Sequence, residues 1–71
     1  MQKKVTVKGN DYNVFIEYHK REGLWTGESY VEGHSVVDKS TKGIDDLLNK
    51  MEFSISQKIH LLNSEFGSSS N

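Results

Sequence analysis

The apolar residues change period once. They alternate between Lys4 and Val37, then recur every three or four positions from Ile44 to Phe66. Alternation is the period of a strand with one buried face. The three-to-four step is the period of a helix with one buried stripe. A chain with one such switch folds as a small antiparallel sheet followed by one amphipathic helix that covers it. The expected fold class is therefore α+β: a three- or four-stranded meander with a C-terminal helix packed on one face.

The strands are expected over residues 3–8, 12–19, 24–31 and 34–37. In the first, Val5 and Val7 face one way and Lys4, Thr6 and Lys8 the other. Gly9-Asn10-Asp11 reads as the first turn, because Gly and Asn tolerate positive φ. The second strand has a clean face of Tyr12, Val14, Ile16 and Tyr18. Phe15 is the one large apolar residue on its other face. Lys20-Arg21-Glu22-Gly23 reads as a hairpin loop and Glu32-Gly33 as a further turn. Inside the third strand, Gly27 asks for a bulge or a close approach.

Asp38 to Gly43 is polar, and either Ser40 or Thr41 has a hydroxyl able to cap the helix. Asp45 and Asp46 fall in its first turn, where negative charge is favourable. The stripe is Ile44, Leu48, Met51, Ile55, Ile59 and Leu62, widened by Leu47 and Leu61. A helix over 43–63 is about 31 Å long at ~1.5 Å per residue. An eight-residue strand spans only about 26 Å, so the helix should overhang the sheet. A break would fall at Glu52-Phe53-Ser54, where Phe53 leaves the stripe and the serines lower helix propensity. Gly67 reads as a stop. The domain is thus 1–66, with a disordered tail over 67–71. The expected core is Val5, Val7, Val14, Ile16, Tyr18, Trp25, Val31, Val36, Ile44, Leu47, Leu48, Met51, Ile55 and Ile59, with Tyr12 at its edge.

Composition excludes several functions. Nine basic residues against ten acidic give a net charge of -1, a poor match for a phosphate backbone. No cysteine is present, so neither a disulfide nor a thiolate metal site is available. A domain of 71 residues without a staple needs very regular packing or self-association, which favours a homodimer. No run approaches the ~18 apolar residues of a membrane span, and no signal peptide is visible. The expected location is the cytoplasm.

Chemistry-bearing patterns are sparse. His19, His34 and His60 lack ligand spacing, so no metal site is expected. Asp45 and Asp46 are adjacent and diverge on a helix, unlike the convergent carboxylates of a hydrolase. Ser29, Ser35 and Ser40 lack a nucleophile elbow. The glycines do not form a phosphate-binding spacing, and no cofactor is expected. The chain reads as a non-enzyme. Lys3, Lys4, Lys8, Lys20 and Arg21, with Tyr12, Tyr18 and Trp25, could form a single-strand RNA platform. Glu17, Glu22 and Glu28 dilute that charge.

Taken together, Val14-Phe15-Ile16-Glu17, Glu22-Gly23, Leu24-Trp25, Tyr30-Val31-Glu32-Gly33, His34-Ser35-Val36 and Ser40-Thr41 leading to Asp45-Asp46-Leu47-Leu48 resemble the N-terminal domain of HicB-type antitoxins. The resemblance covers residues 12–51. It departs from the family in having no proline near the second turn, a longer helix, and no residues left for the DNA-binding domain many members carry. It implies a sheet-plus-helix domain that neutralises a protein partner by covering it, often as a dimer. That partner would be a small RNA-cleaving toxin, or else a host or defence enzyme. Apart from the resemblance, a chain this short without an enzyme signature also fits an inhibitor from a phage or mobile element.

The expected function is thus non-catalytic binding and inhibition of a protein. The expected contact residues are Phe15, Tyr30, Lys20, Arg21, His34 and Val36. The alternatives are a small RNA-binding protein, and a homo-oligomer assembled through the helix at Ile59 and Leu62.

Overall fold

The computed structural model describes residues 1–69, with side chains over residues 1–64. Four strands form one antiparallel sheet in chain order: β1 (Gln2–Val7), β2 (Asn10–His19), β3 (Leu24–Val31) and β4 (His34–Ser40). One helix, α1 (Ile44–Ser69), follows. This is the α+β meander anticipated from the change of period.

The register places the turns. Val7 pairs with Asn10, so Lys8 and Gly9 alone turn the first hairpin, at φ 53° and 82°. Val31 pairs with His34, leaving Glu32 and Gly33 at φ 49° and 83°. Both are two-residue loops with positive φ throughout, the form whose twist matches the flanking strands. The first turn therefore lies earlier than Gly9-Asn10-Asp11. Asn10 and Asp11 belong to β2, and Asp11 accepts a 2.6 Å bond from the Thr6 hydroxyl across the hairpin. The fourth strand runs on past Val37 to Ser40, since Asp38, Lys39 and Ser40 continue its ladder with Gly27, Thr26 and Trp25.

α1 packs over β3 and β4 and reaches β1. The buried apolar set is Val5, Val7, Val14, Ile16, Val31, Val36, Leu47, Met51, Ile55 and Leu62. Tyr12, Trp25, Ile44, Leu48 and Ile59 pack around it. Two expectations change. Tyr18 is 49% exposed; it sits at the strand end, with its ring 4.6 Å from that of Trp25. Leu62 is a core residue at 7% exposure. The helix is unbroken, because fully buried Met51 and Ile55 bracket residues 52–54 and hold that turn on the sheet while Phe53 faces solvent. At 26 residues it is about 39 Å long. The molecule measures 49 × 21 × 18 Å, in keeping with a helix that outruns its sheet. The helix continues beyond Gly67, and Ser70 and Asn71 of the expected tail lie outside the described residues.

Gly27 has its reason in the packing. A Cβ there would lie 3.2 Å from Val14 Cγ1 and 3.3 Å from Leu47 Cδ2. The absent side chain lets Leu47 of α1 settle directly on β3.

The helix start is built differently from the expected hydroxyl cap. Gly43, at φ 127°, precedes the helix, and its carbonyl accepts the Leu47 amide at 3.1 Å. The buried Ser40 hydroxyl instead accepts the Lys42 amide at 3.0 Å and donates to Asp46 Oδ2 at 2.6 Å. Ser40 thus ties the end of β4 to the first turn of α1. That bond holds the Asp46 carboxyl below its ordinary value of 3.8, against partial desolvation and with help from Lys50 and Lys42. A depressed folded pKa stabilises the fold fully above the unfolded value, and the contribution disappears as pH falls through the folded one. Wild-type protein should therefore melt higher than Asp46→Asn at neutral pH. The gap should narrow below about pH 4, which thermal melts followed by circular dichroism at stepped pH will read.

Candidate partner-binding face

Because a single helix covers one face of the sheet, the other face stays open. Alternation along each strand determines what that face presents. It carries Gln2, Lys4 and Thr6 from β1 and Asp11, Asn13, Phe15, Glu17 and His19 from β2. Beyond them are Leu24, Thr26, Glu28 and Tyr30 from β3 and Ser35, Val37 and Lys39 from β4. Gln2, Phe15, Glu28 and Val37 form one row straight across the sheet.

Three large side chains stand out of this face: Phe15 at 49% exposure, Tyr30 at 52% and Val37 at 60%. An open depression of about 590 Å³ lies beside Phe15 and Val37, lined also by Met1, Glu17, Thr26 and Glu28; Tyr30 stands outside it. Its lining thus mixes apolar side chains with two carboxylates. Glu28, two residues from Tyr30 on the same face, raises the Tyr30 hydroxyl above its ordinary value of 10.0, chiefly through its negative charge.

His19, Thr26 and Glu17 also meet on this face. His19 Nε2 lies 3.0 Å from Thr26 Oγ1 and 3.9 Å from Glu17 Oε1. An activated nucleophile requires the hydroxyl and the orienting carboxylate on different ring nitrogens. Here one nitrogen faces both, so the cluster orders the strand ends without forming a relay. Among the described residues, no three His, Cys, Asp or Glu side chains come together as a metal site.

The expected contact residues separate into groups. Phe15 and Tyr30 share the open face. Lys20 and Arg21 are exposed in the β2–β3 loop, at the end of β3 away from Tyr30. From Leu24 to Tyr30 is about 20 Å at ~3.3 Å per residue. His34 is exposed at the edge. Val36 pairs with Ser29 and is buried beneath the helix, so its neighbour Val37 is the valine available to a partner. Ile59 and Leu62 pack with the chain's own core, so they do not offer a free helical seam; among the described residues, Phe53 and Leu61 are the exposed large apolar side chains of the helix. Val36 was expected both in the core and at the contact, and the register keeps it in the core. Met1 was missed because it joins the face only by pairing its backbone with Ile16.

The class defined by this geometry is an α+β domain with one helix-covered and one open sheet face. Among the described residues, no helix is long and apolar enough to cross a membrane. In comparison with known proteins, the chain matches no family model, no curated protein and no solved structure.

Proposed function

We propose that this protein is a non-catalytic cytoplasmic module that binds and inhibits a partner protein through the open face of its sheet. The observation that carries this reading is the exposure of Phe15, Tyr30 and Val37 together on one uncovered face. Large aromatic side chains supply much of the energy at protein interfaces, and Phe15 and Val37 lie in one row of this face on either side of Glu28. The manner of action would be that of the HicB-type antitoxin domains that the strand-and-turn order resembles: occlusion of a toxin or defence enzyme. The mixed charge of the face, with Lys4 and Lys39 among Glu17 and Glu28, favours a protein over a nucleic acid.

The test is a tagged pull-down from the native host's lysate, with and without nuclease, using wild-type protein and Phe15→Ala. The expected result is one stoichiometric protein that survives nuclease and binds the variant at least about tenfold more weakly, an ordinary hot-spot effect. Phe15 is half exposed, so the variant should keep its circular dichroism spectrum. Unfolding of the variant, or unchanged capture, would remove the face from the interface. Recovery of RNA would replace the protein partner altogether.

A further inference from the structure

The sheet has two edges, and they differ. β1 carries Lys3 and Lys4, the kind of charge that discourages strand addition. β4 is seven residues long and, among the described residues, no further strand pairs beyond it. In a two-residue hairpin the residues flanking the turn exchange both backbone bonds. Val31 and His34 are that pair, so the amides and carbonyls of residues 35, 37 and 39 point away from β3. The Lys50 ammonium already takes the Lys39 carbonyl at 3.1 Å. The free edge is therefore residues 34–38, with Ser35 and Val37 offering its open backbone groups.

We infer that this edge pairs, antiparallel, with the same edge of a second copy of the chain, about a two-fold axis at Val36. In this register the strand is its own complement. Ser35 meets Val37 of the second copy in a hydrogen-bonded pair, and the reverse pair repeats it. Val36 meets Val36 and extends the helix-side apolar layer across the axis. His34 meets Asp38 on that same side, and this pair also occurs twice. An imidazole N–H facing a carboxylate across the pair can donate a hydrogen bond to it. Asp38 Oδ2 is shielded from solvent and, among the described residues, meets no hydrogen-bond donor; the half-buried carboxylate therefore keeps bonding capacity that an imidazole across the edge can use once the side chain turns outward. The other charged groups near it are Lys50, tied to Asp46 at 3.6 Å, and Lys39 on the opposite face. The neighbouring register, centred on Val37, is disfavoured. It needs the Lys39 carbonyl that Lys50 occupies, and it sets Asp38 diagonal to its own copy. The proposed pairing joins two four-stranded sheets into one, and the open faces become continuous through Val37. It stands apart from the outer-face reading: the dimer uses backbone at the edge, and either can fail without the other.

The test is sedimentation equilibrium of the full chain across a concentration series. The expected result is a species of twice the 8.1 kDa chain mass. Val37→Pro removes one outward amide and none of the β3–β4 bonds, so it should give a folded monomer or raise the dimer dissociation constant at least tenfold. Should that variant unfold, Val37→Lys reads the same edge. The register is read by cysteine pairs, since the chain has no cysteine of its own. In His34→Cys with Asp38→Cys the two thiols of one strand lie about 13 Å apart, too far to bridge, whereas thiols facing across a narrow pair can. Oxidation should give a covalent dimer, and Ser35→Cys with Lys39→Cys, which fits the other register, should not. A monomer at all concentrations would overturn the inference. So would a dimer unaffected by Val37→Pro and Val37→Lys, or the reverse crosslinking pattern.

Discussion

Leu47→Ala is expected to leave the chain largely unfolded at 37 °C. Leu47 is completely buried and sits where α1 meets the sheet, against Gly27. Truncating a fully buried leucine costs about 2–5 kcal/mol, as lost transfer energy plus the cavity left behind. A domain this small has roughly 5 kcal/mol in total. The site cannot collapse easily, because the floor beneath Leu47 is backbone and Val14, not a side chain that could swing into the gap. Urea unfolding monitored by circular dichroism should show the midpoint falling to near zero denaturant. A loss below about 1 kcal/mol would mean that the helix repacks.

The opposite insult at the same contact is Gly27→Val. A Cβ alone would press on Val14 and Leu47 at 3.2–3.3 Å, and the two further methyls of valine have no space in the same direction. Overpacking of this kind costs about 1–3 kcal/mol. Gly27→Ala should be much milder, because removing glycine from a strand recovers part of the cost through reduced unfolded-state entropy. In a domain of this size about 1 kcal/mol moves the melting temperature by roughly 4–8 °C. Valine should therefore lower it by about 10 °C or more and alanine by only a few degrees. If both variants melt like wild type, the helix does not seat on β3 at Gly27. With Leu47→Ala, these substitutions bracket the helix–sheet distance from both sides.

Local periodicity carried most of the architecture. β3 falls on the residues expected of it, since Leu24 to Val31 lies between two glycine turns with no competing signal. The helix stripe placed Met51 and Ile55 inside. The first turn was misplaced because Gly9-Asn10 is a good turn pair in isolation, yet the register of Val5 with Tyr12 leaves only Lys8 and Gly9 between the strands. Leu62 was left out of the expected core and named only for the alternative oligomer, because helix length alone suggests an overhang by that point; in the fold it still belongs to the domain core. Of the candidate face, Phe15 was legible as an apolar residue on the polar side of its strand. Val37 was not: Val36 was read both as a core residue and as a contact residue, and only the register shows that it serves the core alone.

By itself the sequence determined the order of elements, the antiparallel meander and the side of the sheet that α1 covers. These follow from period, and period is local. Only the tertiary structure decided which valine of the 36–37 pair is outside, that Ser40 joins strand to helix through Asp46, and that Leu47 rests on Gly27. Each of these depends on residues far apart in the chain meeting in one register, and a register is set by packing across elements, which no local pattern encodes.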